Sequence, residues 1–325
     1  MHFTLLVAGA LLPGELAIAL TASLDTPTLK TRLSRATVVE RSGSSEGVGA
    51  HFGWLANKLF AQPVPAPTAP YAYAQLAGAA TPGFVWHADP VHMEAARDHL
   101  IVQSLGTDAP SPQESIAMMA VANELALNTG CQFIDVDRRW FLLSGHDWQI
   151  ETRPLAAVDQ SAIEMPGGRD AQIWNRLHNE IQMAWHAHEV NAQRESNGVR
   201  TINALWLHGG GQWQPLPPIE FTQVHSDAAE LQGAARAAGA RGALADAQVT
   251  DKALVVLDDA WVSRQRQDWG AWLRAITSFD RTLAAHADDA IDLIFCGDTL
   301  RTFQSRLSDR YKPWRRRSLA QAFTE

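Results

Sequence analysis

Short apolar runs alternate with segments of helical periodicity through the second half of the chain, from about residue 200 to 297. The runs are apolar throughout, rather than at every second position. Strands of this kind are typical of a parallel sheet whose two faces are both covered. The pattern predicts an α/β fold with a central, mainly parallel sheet and helices on both faces. The predicted strands lie near residues 3–8, 202–207, 254–257 and 291–295.

A stretch in the first half of the chain has a different pattern, in which candidate strands follow one another and one helix interrupts them. Ser111, Pro112 and Glu114 mark the start of that helix, because they suit the N-cap, the first turn and a capping box. At Asp89-Pro90 a strand is predicted to end. These features predict a smaller inserted α+β lobe. The predicted domains are a core of residues 1–83 and 166–325 and an inserted lobe of residues 84–165.

The longest helical pattern runs from Arg169 to Arg194. Apolar residues recur in it at spacings of three and four, which places them on one face of a helix. The predicted apolar face consists of Ile173, Leu177, Ile181, Ala184 and Trp185.

Composition narrows the range of partners. The 325 residues carry a formal net charge of −8, whereas nucleic-acid-binding proteins usually show a basic balance or stripe. The one dense basic run, residues 312–317, is interpreted as a solvated tail. No stretch approaches the roughly 20 apolar residues of a membrane span. A signal peptide would begin with a positively charged region, but no Lys or Arg precedes Lys30. The sequence therefore predicts a cytoplasmic protein that binds neither nucleic acid nor membrane.

Cysteine and histidine positions match no familiar metal motif. Cys131 and Cys296 stand far apart in apolar surroundings, which favours reduced thiols over a disulfide. The twelve histidines include no HExxH pair, and no CxxC occurs. Three glycines, 209–211, follow a predicted strand, and their backbone N–H groups could hold an anion. A tight turn without a ligand is the alternative for these glycines.

Three blocks of the sequence carry a resemblance to known families. They are His188–Gly198, Ile202–Pro217 and Phe295–Asp298. In this order they resemble blocks of the archaeal-type cofactor-independent phosphoglycerate mutases, which belong to the alkaline phosphatase superfamily. The RpfE-type regulatory proteins are a closer match, because they share the signatures at Ala88–His92 and Asn203–Trp206. The resemblance covers roughly residues 84–300 and implies an alkaline-phosphatase-like fold.

For the mutases, the resemblance implies two divalent metals, held by Asp and His ligands, that activate a serine nucleophile and stabilise the transferring phosphoryl group. This chain departs from that pattern at the ligands. The first strand leads into Gly9 without the family's Asp-Gly, and Thr299 stands where a histidine follows the matching Asp298. No histidine occurs after His286. The departures predict that the two-metal site is lost and that no cofactor is needed.

Three carboxylates remain at the ends of predicted strands, namely Asp258, Asp259 and Asp298. Carboxylates without histidines could hold a hard divalent cation such as magnesium, which makes them weak metal candidates. Helix caps or solvated loop residues are the alternative interpretation of the three.

The residues that match the substrate cleft of the mutases are better preserved than those that match the metal ligands. The resemblance implies that Arg194, Asn203, His208 and Asn191 line a ligand cleft, since an arginine fork suits phosphate or carboxylate groups. The alternative is a buried structural network in which Asn191, Arg194 and Asn203 tie a helix to a strand.

Two hypotheses about function follow. Whether the chain is an enzyme stays open, and the sequence favours a chain that is not one. The first is a catalytically inactive, phosphoglycerate-mutase-like protein with a regulatory or ligand-sensing role, since a fold alone does not grant activity. The second is a metal-dependent phosphomutase or phosphatase with a rearranged site, in which His208 or His225 would join the three aspartates. The expected partners are a small phosphorylated or carboxylate ligand and a regulatory protein.

Overall fold

The structure, a computed structural model, describes residues 1–42, 49–95, 99–312 and 314–325. Backbone contacts divide the chain into two compact units. The first unit consists of Met1–Val64 and Leu216–Glu325, and the second of Pro65–Pro215. The predicted lobe of residues 84–165 falls inside the second unit, which extends further in both directions. That this lobe is a domain of its own stays a prediction.

Regular elements occur throughout the described residues. The strands are β1 (His2–Ala8), β2 (Thr37–Ser42), β3 (Phe84–Ala95), β4 (Leu100–Ser104), β5 (Cys131–Val136), β6 (Arg139–Ser144), β7 (Ser161–Ile163), β8 (Ala204–Gln212), β9 (Gln223–His225), β10 (Arg241–Ala243), β11 (Ala253–Leu257), β12 (Ala290–Cys296) and β13 (Leu300–Ser305). The helices are α1 (Gly14–Thr21), α2 (Pro27–Arg35), α3 (Ala50–Leu55), α4 (Ala69–Ala77), α5 (Pro112–Ala126), α6 (Leu155–Val158), α7 (Ala171–His186), α8 (Glu189–Ser196), α9 (Ala229–Ala237), α10 (Asp259–Gln265), α11 (Trp269–Ala285) and α12 (Leu319–Phe323). Shorter helical turns lie at Ala56–Phe60, Gly106–Asp108 and Leu307–Tyr311.

The first unit is built on a seven-stranded sheet in the order β10-β9-β11-β1-β12-β13-β2. The first five of these strands are parallel, and β13 and β2 add antiparallel pairs at one edge. Successive residues of β1, Leu5 and Leu6, are both fully buried, so both faces of the sheet are covered. On one face Leu5 shares a core with Leu33 of α2 and Trp272 and Ile276 of α11. The predicted α/β fold with a mainly parallel central sheet is confirmed.

The second unit is built on an antiparallel sheet in the order β5-β6-β3-β4-β7, with β8 paired to β3. β3 organises this sheet, because its two halves pair with β6 and then β4 on one side while β8 runs along the other. Helices α5 and α7 cover one face through an apolar cluster that includes Met118, Trp174, Ile181 and Leu205.

The prediction that residues 202–207 belong to the parallel sheet was wrong. The strand forms as β8, but it pairs antiparallel with β3, from Val91 opposite Ala204 to Phe84 opposite Gln212. Leu205 is buried in the cluster under α7, and Trp206 is buried in a cluster on the opposite face. A strand buried on both faces is apolar throughout whichever way its neighbour runs, so the pattern does not report strand direction.

Three local predictions also failed. Asp89-Pro90 does not end a strand, because β3 continues to Ala95. Pro90 falls between the pairing of β3 with β6 and its pairing with β4, so the missing proline N–H breaks no ladder bond on that side. The helix predicted from 169 to 194 is two helices, and His188 caps the second by accepting a hydrogen bond from the Val190 N–H at 3.2 Å. Ile173, predicted on the apolar face, is 51% exposed.

Other local signals are confirmed. Ser111 and Glu114 form the capping box of α5, with the Glu114 N–H donating to the Ser111 hydroxyl at 3.3 Å and the Ser111 N–H donating to the Glu114 carboxylate at 2.7 Å. Cys131 and Cys296 are free thiols. In the described part of the chain, no helix has the length and apolar character needed to cross a membrane.

Candidate functional site

The parallel strands of the first unit bring several loops to one edge of the sheet. Because β1, β9, β11 and β12 run in the same direction, the residues that follow them lie at a common carboxyl edge. This edge is where open α/β sheets usually bind ligands. The residues that follow the four strands are Gly9, Ser226, Asp258 and Gly297.

Arg264 of α10 holds two carboxylates at this edge. Its two terminal nitrogens donate to the two oxygens of Asp298 at 3.1 and 3.0 Å, and one of them also donates to Glu325 at 2.9 Å. The guanidinium lies 5.7 Å from the centre of the Trp261 ring, and only 11% of the Arg264 side chain is exposed. A planar fork that engages both oxygens is the strongest arrangement of an arginine and a carboxylate. Arg264 therefore supplies the positive charge that faces Asp298.

Two glycines let the chain close around this ion pair. Gly9 has φ of +77°, and a Cβ there would lie 2.5 Å from the backbone of Trp261. A Cβ on Gly297 would lie 2.2 Å from a carboxylate oxygen of Glu325. The same Glu325 oxygen accepts the Asp298 N–H at 2.7 Å. Position 9, where the mutase resemblance leads one to look for a metal ligand, therefore has no room for a side chain.

Asp258 and Asp259 begin α10, and their surroundings differ from those of Asp298. Desolvation, followed by the negative charge of Asp259 and those of Glu230 and Asp227, raises the pKa of the Asp258 carboxyl. The charges gather at the start of α10, while Asp298 is bound by Arg264. Across the described ranges, no group of three or more His, Cys, Asp and Glu residues is arranged to hold a metal ion.

The segment His225-Ser226-Asp227 is not a nucleophile triad. The Ser226 hydroxyl accepts the Ala228 N–H at 3.1 Å, and the Asp227 carboxylate accepts the Ala245 N–H at 3.2 Å. His225 is fully buried, and one ring nitrogen lies 3.2 Å from the Leu244 carbonyl. Burial lowers the pKa of His225 and favours its neutral form. The Ser226 hydroxyl thus closes a local turn just before α9 and is not paired with a histidine as a nucleophile would be.

A histidine that the sequence did not single out lies beside Arg264. His51 of α3 is 4% exposed, and its ring is 4.5 Å from the Trp261 ring. The Ala50 N–H donates to the Gly297 carbonyl at 3.0 Å, which fixes α3 at the carboxyl edge. Burial and the positive charge of Arg264 lower the pKa of His51 to about 3. No motif surrounds His51, so only its contacts reveal it.

In the second unit, Arg194 and Asn191 are engaged by protein atoms. Arg194 is 4% exposed; it donates to the Glu114 carboxylate at 3.0 Å, to the Arg200 carbonyl at 2.7 Å and to the Asp108 carbonyl. The Asn191 amide donates to the carbonyls of Trp185 and Ile202 and accepts the Ile202 N–H. This geometry matches the structural network that was the alternative to a ligand cleft.

Asn203 extends the sheet with its side chain. Its amide oxygen accepts the Met93 N–H at 2.6 Å and its amide nitrogen donates to the Met93 carbonyl at 2.8 Å. The side chain therefore mimics one residue of a strand paired with β3. His208 lies five residues further along β8, roughly 16 Å away at about 3.3 Å per residue. The four candidates of this unit do not converge on one point.

His208 belongs to a separate polar cluster in the middle of β8. Its ring lies 2.7 Å from the Asp89 carboxylate and stacks on the His87 ring at 4.6 Å. Burial, and then the electrostatic effect of the neighbouring His208, lower the pKa of His87 well below its usual value. One ring nitrogen of each histidine is buried without a hydrogen-bond partner among the described residues. The His208 side chain is 13% exposed, which leaves this cluster close to the surface of the unit.

Solved structures that are similar to this chain include the following two. One is the PH0037 protein from Pyrococcus horikoshii, with a TM-score of 0.53 and 10% sequence identity, over 99% of this chain and 92% of that chain. The other is a cofactor-independent phosphoglycerate mutase from Thermoplasma acidophilum DSM 1728, with a TM-score of 0.42 and 14% identity, over 99% of this chain and 94% of that chain. No protein-family model and no curated protein matches the chain. The likeness to the PH0037 protein is one of fold.

The polar network of the second unit predicts losses of stability. Asn191→Ala, Arg194→Ala and Asn203→Ala should each lower the free energy of unfolding by about 1–3 kcal/mol, because each leaves partners without a hydrogen bond. Urea denaturation measures the loss. The exposed Asn128 provides a control, and Asn128→Ala should change the free energy by no more than about 0.5 kcal/mol. Unchanged stability in the three variants would contradict the network.

His51 predicts a dependence of stability on pH. Its pKa is about 3 in the folded chain and about 6.5 when unfolded. Between these values the unfolded chain binds the extra proton, so stability is complete above pH 6.5 and falls as the pH decreases. Replacing His51 with Phe should reduce the loss of unfolding free energy between pH 7 and 5 by about 1–2 kcal/mol.

The exposed His186 is the control for this measurement, and His186→Gln should leave the difference between pH 7 and 5 as in the wild type. An equal pH dependence of the wild type and the His51→Phe variant would show that His51 takes up its proton in the folded chain.

Proposed function

We propose that the chain is a catalytically inactive relative of the cofactor-independent phosphoglycerate mutases, with a regulatory or ligand-sensing role. The observation that carries the proposal is the bond of Arg264 to both oxygens of Asp298. Asp298 is the residue that matches the metal-ligand block of the mutases in sequence. A divalent cation that bound both oxygens of Asp298 would have to displace the guanidinium, and one that bound beside it would be repelled by its positive charge.

Positions 9 and 299 also support the loss of the metal site. Gly9 has no room for the first ligand, because a Cβ there would clash with Trp261. Thr299 replaces the histidine that follows the matching aspartate. Manganese and zinc sites in proteins commonly use imidazole ligands, and hydroxyl groups are poorer donors for these metals. The residues at this edge therefore do not fit two-metal phosphoryl transfer.

The ligand-sensing role rests on the sequence resemblance to the RpfE-type regulatory proteins and to the substrate side of the mutases. Arg194 and Asn191 serve the internal network in this account. His208 is the remaining candidate for contact with a small phosphorylated or carboxylate ligand, because its ring is partly exposed and is held by Asp89. A protein partner would receive the signal.

One observation favours a second candidate, a metal-dependent phosphomutase or phosphatase with a rearranged site. Three acidic residues lie close enough to Asp258 for their negative charges to raise the pKa of its carboxyl, namely Asp259, Glu230 and Asp227. His225 ends the strand next to β11, and one of its ring nitrogens has no hydrogen-bond partner among the described residues. A carboxylate cluster with one imidazole favours magnesium over manganese or zinc.

Elemental analysis and activity assays separate the two candidates. The dialysed wild-type protein should carry well under one manganese or zinc ion per chain. With added magnesium, manganese, zinc or cobalt, it should neither hydrolyse para-nitrophenyl phosphate nor interconvert phosphoglycerates above background. The Asp258→Asn variant, assayed in parallel, identifies the rearranged site.

Metal-dependent turnover that the Asp258→Asn variant loses would make the rearranged enzyme the correct account. Two bound metals per chain with turnover in both proteins would contradict the loss of the family's site.

A further inference from the structure

The first unit contains a cavity of about 830 Å³ whose lining is rich in arginine. It lies between the end of α2, the start of β2, strand β13 and the segment that precedes α12. The lining includes Thr37, Val38, Arg301, Arg315, Arg316 and Gln321. Residues 315–317 thus form one wall of this cavity. They belong to the basic run of residues 312–317, which was interpreted from sequence as a solvated tail; Pro313 lies outside the described residues.

Part of the basic run is anchored to the protein. One terminal nitrogen of Arg315 donates to the Thr37 hydroxyl at 2.7 Å and to the Arg35 carbonyl at 3.2 Å. Arg317 donates to the Leu33 carbonyl at 3.1 Å. The cations therefore cap the carbonyl end of α2, which favours positive charge. The anchoring holds the neighbouring Arg316 against the same wall.

Positive charge in the cavity exceeds what this anchoring uses. Four arginines line it, namely Arg301, Arg315, Arg316 and Arg317. Among the described residues, Glu325 is the one acidic residue in the lining. The Glu325 carboxylate already accepts a hydrogen bond from Arg264. Arg315 uses one of its three nitrogens, and Arg316 has an exposed side chain without a hydrogen-bond partner among the described residues. This excess stands out in a chain whose net charge is −8.

We propose that this cavity binds a small phosphorylated molecule that carries at least two negative charges. Planar guanidinium groups match phosphate oxygens in pairs, and two arginines can share one polyanion. The volume lies within the usual range for small-molecule sites, roughly 300–1,000 Å³. Val38 and Ala36 provide an apolar surface beside the charges, which suits an organic phosphate. The proposal does not rest on the proposed loss of catalysis, because it is argued from the arginines of the lining. Glu325 is the lining residue that also contacts Arg264 and Asp298.

Calorimetric titration of the full chain with inorganic pyrophosphate at low ionic strength tests the proposal. The wild type should bind in a saturable manner with one site per chain. Arg316→Ala should weaken the affinity about tenfold, as expected for the loss of one charged contact. Arg281 is an exposed arginine on α11 away from the cavity, and Arg281→Ala should leave the affinity unchanged. Melting temperatures confirm that each variant is folded.

Three results would overturn the proposal. One is the absence of saturable pyrophosphate binding by the wild type. Another is an equal loss of affinity in the Arg316→Ala and Arg281→Ala variants, which would indicate attraction to general surface charge. The third comes from a parallel titration with a short single-stranded RNA. Saturable RNA binding that needs Arg316, without pyrophosphate binding, would assign the cavity to nucleic acid.

Discussion

The contact on which the carboxyl edge of the first unit depends is that of Arg264 with Asp298 and Glu325. It joins α10, the turn after β12 and the segment after α12 through one guanidinium. Backbone segments approach this point so closely that Gly9 and Gly297 cannot carry side chains. His51 packs beside the same cation and is held neutral by burial and by the charge of Arg264. An internal cation thus binds the aspartate that, by the sequence resemblance, matches a metal-ligand block of the mutases.

This arrangement changes what the edge can do chemically. A metal ion polarises a phosphoryl oxygen and activates a nucleophile, whereas a guanidinium only neutralises and positions charge. In the second unit, Arg194 is similarly committed to Glu114 and to backbone carbonyls. Arg264 and Arg194 therefore both bind groups of the protein itself. The arginine-lined cavity is where cationic groups remain for a ligand.

Much of the fold could be predicted from the sequence, because the apolar runs and the capping box of Ser111 and Glu114 are local signals. The pairing of β8 with β3 could not be predicted, since burial on both faces looks the same in parallel and antiparallel sheets. Thr299, at the position where the resemblance leads one to expect a histidine, was visible in the sequence. The bond of Arg264 to Asp298 was not, because residues 34 positions apart meet only after the sheet has formed. His51 could not be singled out from the sequence for the same reason, because its neighbours Trp261 and Arg264 are far away along the chain.

A double-mutant cycle on Arg264 and Asp298 tests the central claim most directly. The free energies of unfolding of the wild type, Arg264→Ala, Asp298→Ala and the double variant are measured by urea denaturation. Because Asp298 is 55% exposed, we expect a coupling energy of about 1 kcal/mol, near the upper end for partly exposed pairs. A coupling energy near zero would show that Arg264 does not hold Asp298 and would contradict the account.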